Sequence, residues 1–369
     1  MFDEVFRVEG NVKHIVKLKN SDCFIEAGQG KKTIINCLIG ANELSDYDYE
    51  FLKLNRVLEM DQRPEIISDL SMKRTQRNNS IWYRVVKETP FVSATLPIYL
   101  IKNKENLIDT QELLDIIIEH MECGVGLITI HPTANKQIFE ASRKRMVPIT
   151  SRGGGIVIKD LINRKFNDEN IYLQILPQII AHAQKHRVTL SLGTTFRSGN
   201  IFDCNDEAQR MEIQAQIKLA QFISKQNVGV IIEAPGHARP NDIIKISSTL
   251  RNAGFPIMPL GPLPTDIDIG MDHISGAIGA AIMGLEGCAN IISAVTREEH
   301  SGGLPTIEST IEAIKTAKVA AHIIDIHNIN DTTMDMIVAE KRAENKTCIF
   351  DKGPKYCDRC KEACPLSIR

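Results

Sequence analysis

Val228-Gly229-Val230-Ile231-Ile232-Glu233-Ala234-Pro235-Gly236-His237 decides the fold. A short β-branched run with no polar alternation reads as a strand buried on both faces, which is the situation of a strand in a parallel sheet. It then breaks abruptly into a carboxylate, a Pro-Gly turn and an imidazole. The same pattern recurs from residue 33 onward, with short apolar runs separated by longer amphipathic segments, as in repeated βα units. Strands are predicted at 33–40, 66–71, 91–100, 126–131, 146–151, 189–194, 228–235, 256–262 and 290–296, one more than a (β/α)8 barrel requires. Helices are predicted at 110–122, 169–185, 207–225, 242–252 and 274–285. Asn205-Asp206 and Pro240-Asn241 are helix starts, and Gly254 is a helix stop.

Other predicted strands also end in polar or glycine-rich groups: Ile130-His131-Pro132, Ser151-Arg152-Gly153-Gly154, Gly193 to Arg197 and Gly261 to Asp266. In a (β/α)8 barrel the C-terminal strand ends build the active site, so these groups are expected to converge. After Glu299-His300-Ser301-Gly302-Gly303, helical patterns at 307–328 and 334–345 read as an extension. The expected fold is therefore α/β, a (β/α)8 TIM-like barrel with a C-terminal helical extension and a cysteine-rich tail. Its expected divisions are a leader or edge hairpin at 1–32, barrel at 33–305, helical extension at 306–346 and tail at 347–369.

The tail carries Cys357-Asp358-Arg359-Cys360-Lys361-Glu362-Ala363-Cys364 in a stretch without apolar periodicity. Three thiolates leave one site of a four-iron cluster, or of a zinc ion, without a cysteine ligand. The other six cysteines are scattered singly, and of these Cys348 is the plausible fourth ligand. Spacing alone leaves an iron–sulfur cluster, structural zinc and a redox thiol group open.

Composition narrows the class. The chain has 369 residues, is 43% hydrophobic and has a formal net charge of −2 with both signs mixed, so a sizeable core is expected and neither nucleic acid nor an anionic membrane is an expected partner. No apolar run approaches the roughly 20 residues of a membrane span and no signal-peptide pattern opens the chain, so a cytoplasmic protein with reduced thiols is expected. Dinucleotide, phosphate-loop and Gly-x-Ser-x-Gly motifs are not found after the predicted strands.

Ser151-Arg152-Gly153-Gly154-Gly155 is either an anion cradle or a turn that needs glycine. Arg197, in Gly193-Thr194-Thr195-Phe196-Arg197-Ser198-Gly199, adds a second guanidinium and favours the anion site. His237 and His300 either share a metal or are hydrogen-bonding loop residues. His131, His273 and Asp266 stand at strand ends without an assigned role.

Taken in order, these pieces resemble the phosphomethylpyrimidine synthase family of radical S-adenosylmethionine enzymes. The matching motifs include Asp69-Leu70-Ser71, Leu96-Pro97-Ile98-Tyr99, Thr129-Ile130-His131, Ser151 to Gly154, Asn205 to Gln209, Glu233 to His237, Asp272-His273-Ile274, Glu299-His300 and the cysteine tail. The resemblance implies a 4Fe-4S cluster on Cys357, Cys360 and Cys364, with S-adenosylmethionine on its open iron. Reduction would cleave that cofactor to a 5′-deoxyadenosyl radical, which abstracts hydrogen from the substrate. It implies a divalent metal, zinc or iron, at His237 and His300. It also implies a ribonucleotide substrate, 5-aminoimidazole ribonucleotide, held by Tyr99, His131, Ser151, Arg152, Gly153, Arg197 and Glu233, with Glu233 and His131 catalytic. Implied partners are an electron donor such as flavodoxin or ferredoxin and a second subunit, into whose barrel the tail reaches.

The chain departs from the family in several places. Cysteine spacing is x2 then x3, one residue shorter than the family's second interval. Thr194 replaces a carboxylate, Asn36-Cys37-Leu38 replaces an Asn-Ala-Asn piece, Ser68 and Met271 replace a methionine and a tyrosine, and the large N-terminal domain is nearly absent. Such changes leave two alternative functions: 5-hydroxybenzimidazole synthesis for cobamide lower ligands, or another substrate on a paralogue. A non-catalytic zinc-binding barrel is the alternative of a different class.

Overall fold

The computed structural model describes residues 13–20, 23–102, 107–350 and 357–367; the first twelve residues of the expected leader and 351–356 and 368–369 of the tail lie outside the described residues. A hairpin, β1 (Ile15–Lys19) and β2 (Phe24–Gly28), precedes eight parallel strands. These are β3 (Ile34–Ile39), β4 (Ile66–Asp69), β5 (Val92–Thr95), β6 (Leu127–Ile130), β7 (Thr189–Leu192), β8 (Val230–Glu233), β9 (Ile257–Met258) and β10 (Ile291–Ala294). Their order is β10-β3-β4-β5-β6-β7-β8-β9. Asn290 closes the seam between β9 and β10, its amide donating to Ile257 O at 2.9 Å and its side chain accepting from Ile257 N at 2.9 Å. This is the expected (β/α)8 barrel.

The helices are α1 (Tyr47–Leu58), α2 (Ile81–Glu88), α3 (Thr110–Cys123), α4 (Lys136–Ser142), α5 (Arg152–Asn163), α6 (Ile171–Gln174), α7 (Leu176–His186), α8 (Glu207–Ser224), α9 (Pro240–Ala253), α10 (Asp272–Leu285), α11 (Ile307–Ile329) and α12 (Thr333–Asn345). Their ends follow local chemistry. Asp206 caps α8 by accepting from Gln209 N at 2.9 Å, Pro240 opens α9, and Gly254 closes it at φ 75°. α11 buries Ala313, Ile314, Ala317, Ala321 and Ile324 and packs on α10, β3 and β10, against the barrel wall.

The strand expected at 146–151 does not form, which resolves the surplus of nine over eight. β6 pairs directly with β7, Leu127 beside Thr189, leaving no place for it in the sheet. Met146 and Val147 donate their amides to the Asp203 carboxylate at 3.1 and 3.0 Å instead of to a ladder, and Pro148 has no amide to give. The helix expected over 169–185 is two helices, because Pro177 begins a new one in the first turn of α7.

Period-2 alternation layers the barrel interior. Ile34, Ile66, Val92, Leu127, Ile231, Met258 and Ile291 form an apolar lower layer, against which the hairpin residues Val16, Leu18 and Ala27 pack. The hairpin therefore plugs the N-terminal end of the barrel, Val16 and Leu18 each contributing about 1.5–3 kcal/mol by burial. One step further along the strands come Asn36, Ser68, Thr129, Ser191, Glu233 and Ser293, all buried and all polar. A larger core fills the space between strands and helices.

Candidate active site

Above the plug lies a cavity of about 230 Å³ at the C-terminal strand ends. It brings together Tyr99, His131, Ser151, Arg152, Arg197, Glu233, His237 and His300, from strand ends far apart in sequence. Gly153 stands beside it, packed against His131. His273 does not line this cavity; its Nε2 lies 3.7 Å from the Glu312 carboxylate.

Glu233 ends β8 facing inward and is 3% exposed. Its Oε1 accepts from Ser191 Oγ at 2.8 Å and from Thr129 Oγ1 at 3.1 Å. Burial pushes its carboxyl above the ordinary glutamate range, opposed by the Ser191 hydrogen bond and the Arg197 charge. Gln216 of α8 fixes this strand end by donating to Leu192 O at 2.9 Å and Glu233 O at 3.1 Å.

His131, just past β6, is pinned between two glycines. A Cβ on Gly153 would lie 2.5 Å from its Cε1, and one on Gly193 would lie 2.7 Å from its Nε2. Glycine is required at both positions by close approach to the ring. Nε2 lies 3.3 Å from Ser151 Oγ, while Nδ1 is buried with no hydrogen-bond partner. Burial, assisted by the Arg197 charge, lowers its pKa to about 3, so the ring is neutral at ordinary pH.

Ser151 is the N-cap of α5, its Oγ accepting from Gly154 N at 3.1 Å. The amides of Arg152 and Gly153 at that helix start have no acceptor within the helix. The Arg152 guanidinium lies 5.5 Å from the centre of the Tyr99 ring. Burial raises the Tyr99 phenol pKa, against the pull of Arg152 and Arg197.

Sequence reasoning missed Glu212, which organises the loop carrying Arg197. It is 1% exposed and accepts four hydrogen bonds, from Thr133 Oγ1 at 2.8 Å, Thr194 Oγ1 at 2.6 Å, Thr195 N at 2.7 Å and Phe196 N at 2.7 Å. Burial nevertheless pushes its carboxyl upward. On the cavity floor, Asn36 accepts from Ser68 Oγ at 2.8 Å and donates to Ser293 Oγ at 3.4 Å.

At the cavity edge the Nε2 atoms of His237 and His300 face each other at 3.1 Å. His237 Nδ1 pairs with Asp266 Oδ1 at 2.7 Å and His300 Nδ1 with Asp272 Oδ1 at 2.5 Å. A carboxylate behind each ring leaves Nε2 available, the arrangement of carboxylate–histidine metal ligation, so the donor set fits a divalent metal. Asp272, wholly buried at the start of α10, gains from this geometry a role that its motif alone does not reveal.

The tail thiols form a different donor set. Cys37, Cys204 and Cys288 are buried, and burial pushes each of those thiols up to about 12. Cys360 is exposed and Cys357 and Cys364 are partly so, and the shortened second interval folds as a 3-10 turn at Lys361–Ala363. Accessible thiols on a tight turn fit a cluster ligand set.

A parallel barrel whose polar side chains meet in one cavity at the C-terminal strand ends defines the class, a (β/α)8 barrel enzyme. The chain belongs to the Radical SAM ThiC family, whose profile matches residues 7–350. It is 33% identical over 312 residues to the phosphomethylpyrimidine synthase of Clostridium kluyveri, covering 82% of this chain and 69% of that protein. The Thermotoga neapolitana enzyme of the same name is 33% identical over 318 residues, with 77% of this chain and 73% of that protein covered. The Campylobacter jejuni enzyme is 34% identical over 311 residues, with 81% and 70% covered. The protein is therefore a radical S-adenosylmethionine enzyme of a family that includes the phosphomethylpyrimidine synthases of thiamin pyrimidine synthesis, and not a non-catalytic zinc barrel. Membership implies a 4Fe-4S cluster, S-adenosylmethionine, a small-molecule substrate and an electron donor. Among the described residues no helix is long and apolar enough to cross a membrane.

Proposed function

We propose that this enzyme rearranges 5-aminoimidazole ribonucleotide, or a close analogue, acting as a carbon–carbon lyase that forms hydroxymethylpyrimidine phosphate. The observation that carries this reading is the gathering of Arg152, Arg197, His131 and Glu233 in one cavity beside the paired imidazoles of His237 and His300. The two guanidiniums, the Ser151 hydroxyl and the amides of Arg152 and Gly153 hold the phosphate. Tyr99 lies along the ribose and base. Glu233 takes a proton from the aminoimidazole, and neutral His131 offers its unpartnered Nδ1 to the ligand.

His237 and His300 hold a divalent metal, zinc or iron, with Asp266 and Asp272 orienting the rings. Cys357, Cys360 and Cys364 would hold the cluster, which, reduced by a flavodoxin or ferredoxin, would supply the electron for cleavage of S-adenosylmethionine. The enzyme works as a homodimer in the cytoplasm, the tail of each subunit completing its partner's barrel.

A second reading has its own support. Thr194 turns its hydroxyl onto Glu212, and Asn36, Ser68 and Ser293 bond to one another on the floor. Both places differ from the family pattern, which favours a changed product such as 5-hydroxybenzimidazole. Anaerobic incubation of reconstituted enzyme with S-adenosylmethionine, reductant and the ribonucleotide, followed by mass spectrometry, separates the two. Hydroxymethylpyrimidine phosphate supports the first reading and 5-hydroxybenzimidazole the second. Consumption of S-adenosylmethionine with the ribonucleotide untouched overturns both.

A further inference from the structure

We propose a second metal site at the opposite end of the barrel, in which Glu122, His182 and His186 bind one transition-metal dication of the zinc class and tie α3 to α7. One ligand atom from each of the three lies within 4.8 Å of the others. The two histidines are a helical turn apart on α7, and their rings stack at 6.1 Å with planes 8° apart. Glu122 arrives from the last turn of α3, which packs on α7.

Two further observations point to a ligand. His182 Nδ1 and His186 Nε2 are both buried and without hydrogen-bond partners, although buried polar atoms normally find one. Both helices also direct their C-terminal ends here, where the helix dipole favours a cation. Zinc takes imidazole nitrogen and carboxylate oxygen at about 2.0–2.2 Å in a tetrahedral shell, so small side-chain rotations bring the trio onto one ion and leave a fourth position for water. Lys19 and Lys185 stand nearby. Their charge opposes any dication, so the choice of metal rests on the donor atoms: two imidazoles and one carboxylate suit a transition metal and offer too few oxygens for calcium or magnesium.

The C-terminal ends of barrel helices lie at the N-terminal face of the strands, away from the active site. The ion is therefore structural, and the site is independent of the proposed reaction. The test is zinc content by mass spectrometry after dialysis of the cluster-loaded protein against buffered zinc. His182→Asn/His186→Asn is expected to hold one zinc per chain fewer than wild type, while His237→Asn/His300→Asn retains that zinc. Thermal unfolding of the wild type is expected to shift upward in zinc by an amount the His182→Asn/His186→Asn variant lacks, because ligand bound only to the native state stabilises it. Glu122→Gln, at an exposed position, tests the site without disturbing the core, and is expected to weaken zinc binding by about tenfold or more. Equal zinc content in wild type and His182→Asn/His186→Asn overturns the site.

Discussion

The Nε2 atoms of His237 and His300 stand 3.1 Å apart with a carboxylate behind each ring, Asp266 on one side and Asp272 on the other. Asp266→Asn and Asp272→Asn keep the shape of each side chain but lose its charge. Each is expected to weaken metal binding by roughly 10–100-fold, the usual cost of losing a partner behind a ligand. His237→Ala is expected to abolish binding at this pair. Competition titration against a chelator measures all three.

Glu212→Ala leaves two threonine hydroxyls and two backbone amides without their acceptor. At about 1–3 kcal/mol for a buried donor, partly relieved by water, a loss of roughly 3–5 kcal/mol is expected in denaturant unfolding. Thr194→Asp introduces the carboxylate typical of the family, but against Glu212 Oε2, now 2.6 Å from the Thr194 hydroxyl. Two carboxylates in that buried place repel, so this substitution is expected to destabilise the fold.

Two buried groups give opposite pH dependences. Glu233 has a raised pKa, so its native state holds a proton that the unfolded chain releases, and stability falls as pH rises from about 4.5 through the native value. Glu233→Gln removes that slope. As a base, Glu233 works only when ionised, so the acid limb of kcat/KM is expected above the ordinary glutamate range. His131 has its pKa lowered from 6.5 to about 3, so the unfolded chain binds the extra proton and stability falls as pH drops from 6.5 toward 3. His131→Asn is expected to flatten that acid side. Unfolding free energies across pH 3–8 check both slopes.

Gly153→Ala drives a methyl to 2.5 Å from the His131 ring. The ring must move, at about 1–3 kcal/mol of strain, and turnover is expected to fall with the fold intact. Circular dichroism and turnover measured on the same preparation check this.

The barrel was legible because its strands are short apolar runs that end in polar groups, as at Glu233 to His237. The false strand at 146–151 shows the limit, since an apolar run with a proline has no ladder unless neighbours leave it a slot. α5 stayed hidden behind three consecutive glycines, which are poor helix formers, although Gly153 and Gly154 are needed beside His131 and Thr195. Among the site residues, those at strand ends were readable. Glu212 was not, because a mid-helix glutamate looks like any solvated charge until the fold buries it. The polar layer of Ser68, Ser191 and Ser293 follows from reading every second strand residue, a signal present in the sequence.

In the proposed reaction, cofactor cleavage draws hydrogen from a ribonucleotide held by Arg152 and Arg197. The direct measurement is mass analysis of 5′-deoxyadenosine formed anaerobically with ribose-deuterated 5-aminoimidazole ribonucleotide. Deuterium is expected in the 5′-deoxyadenosine, strongly reduced in Arg197→Ala. Unlabelled 5′-deoxyadenosine, formed at the same rate with and without the ribonucleotide, would contradict it.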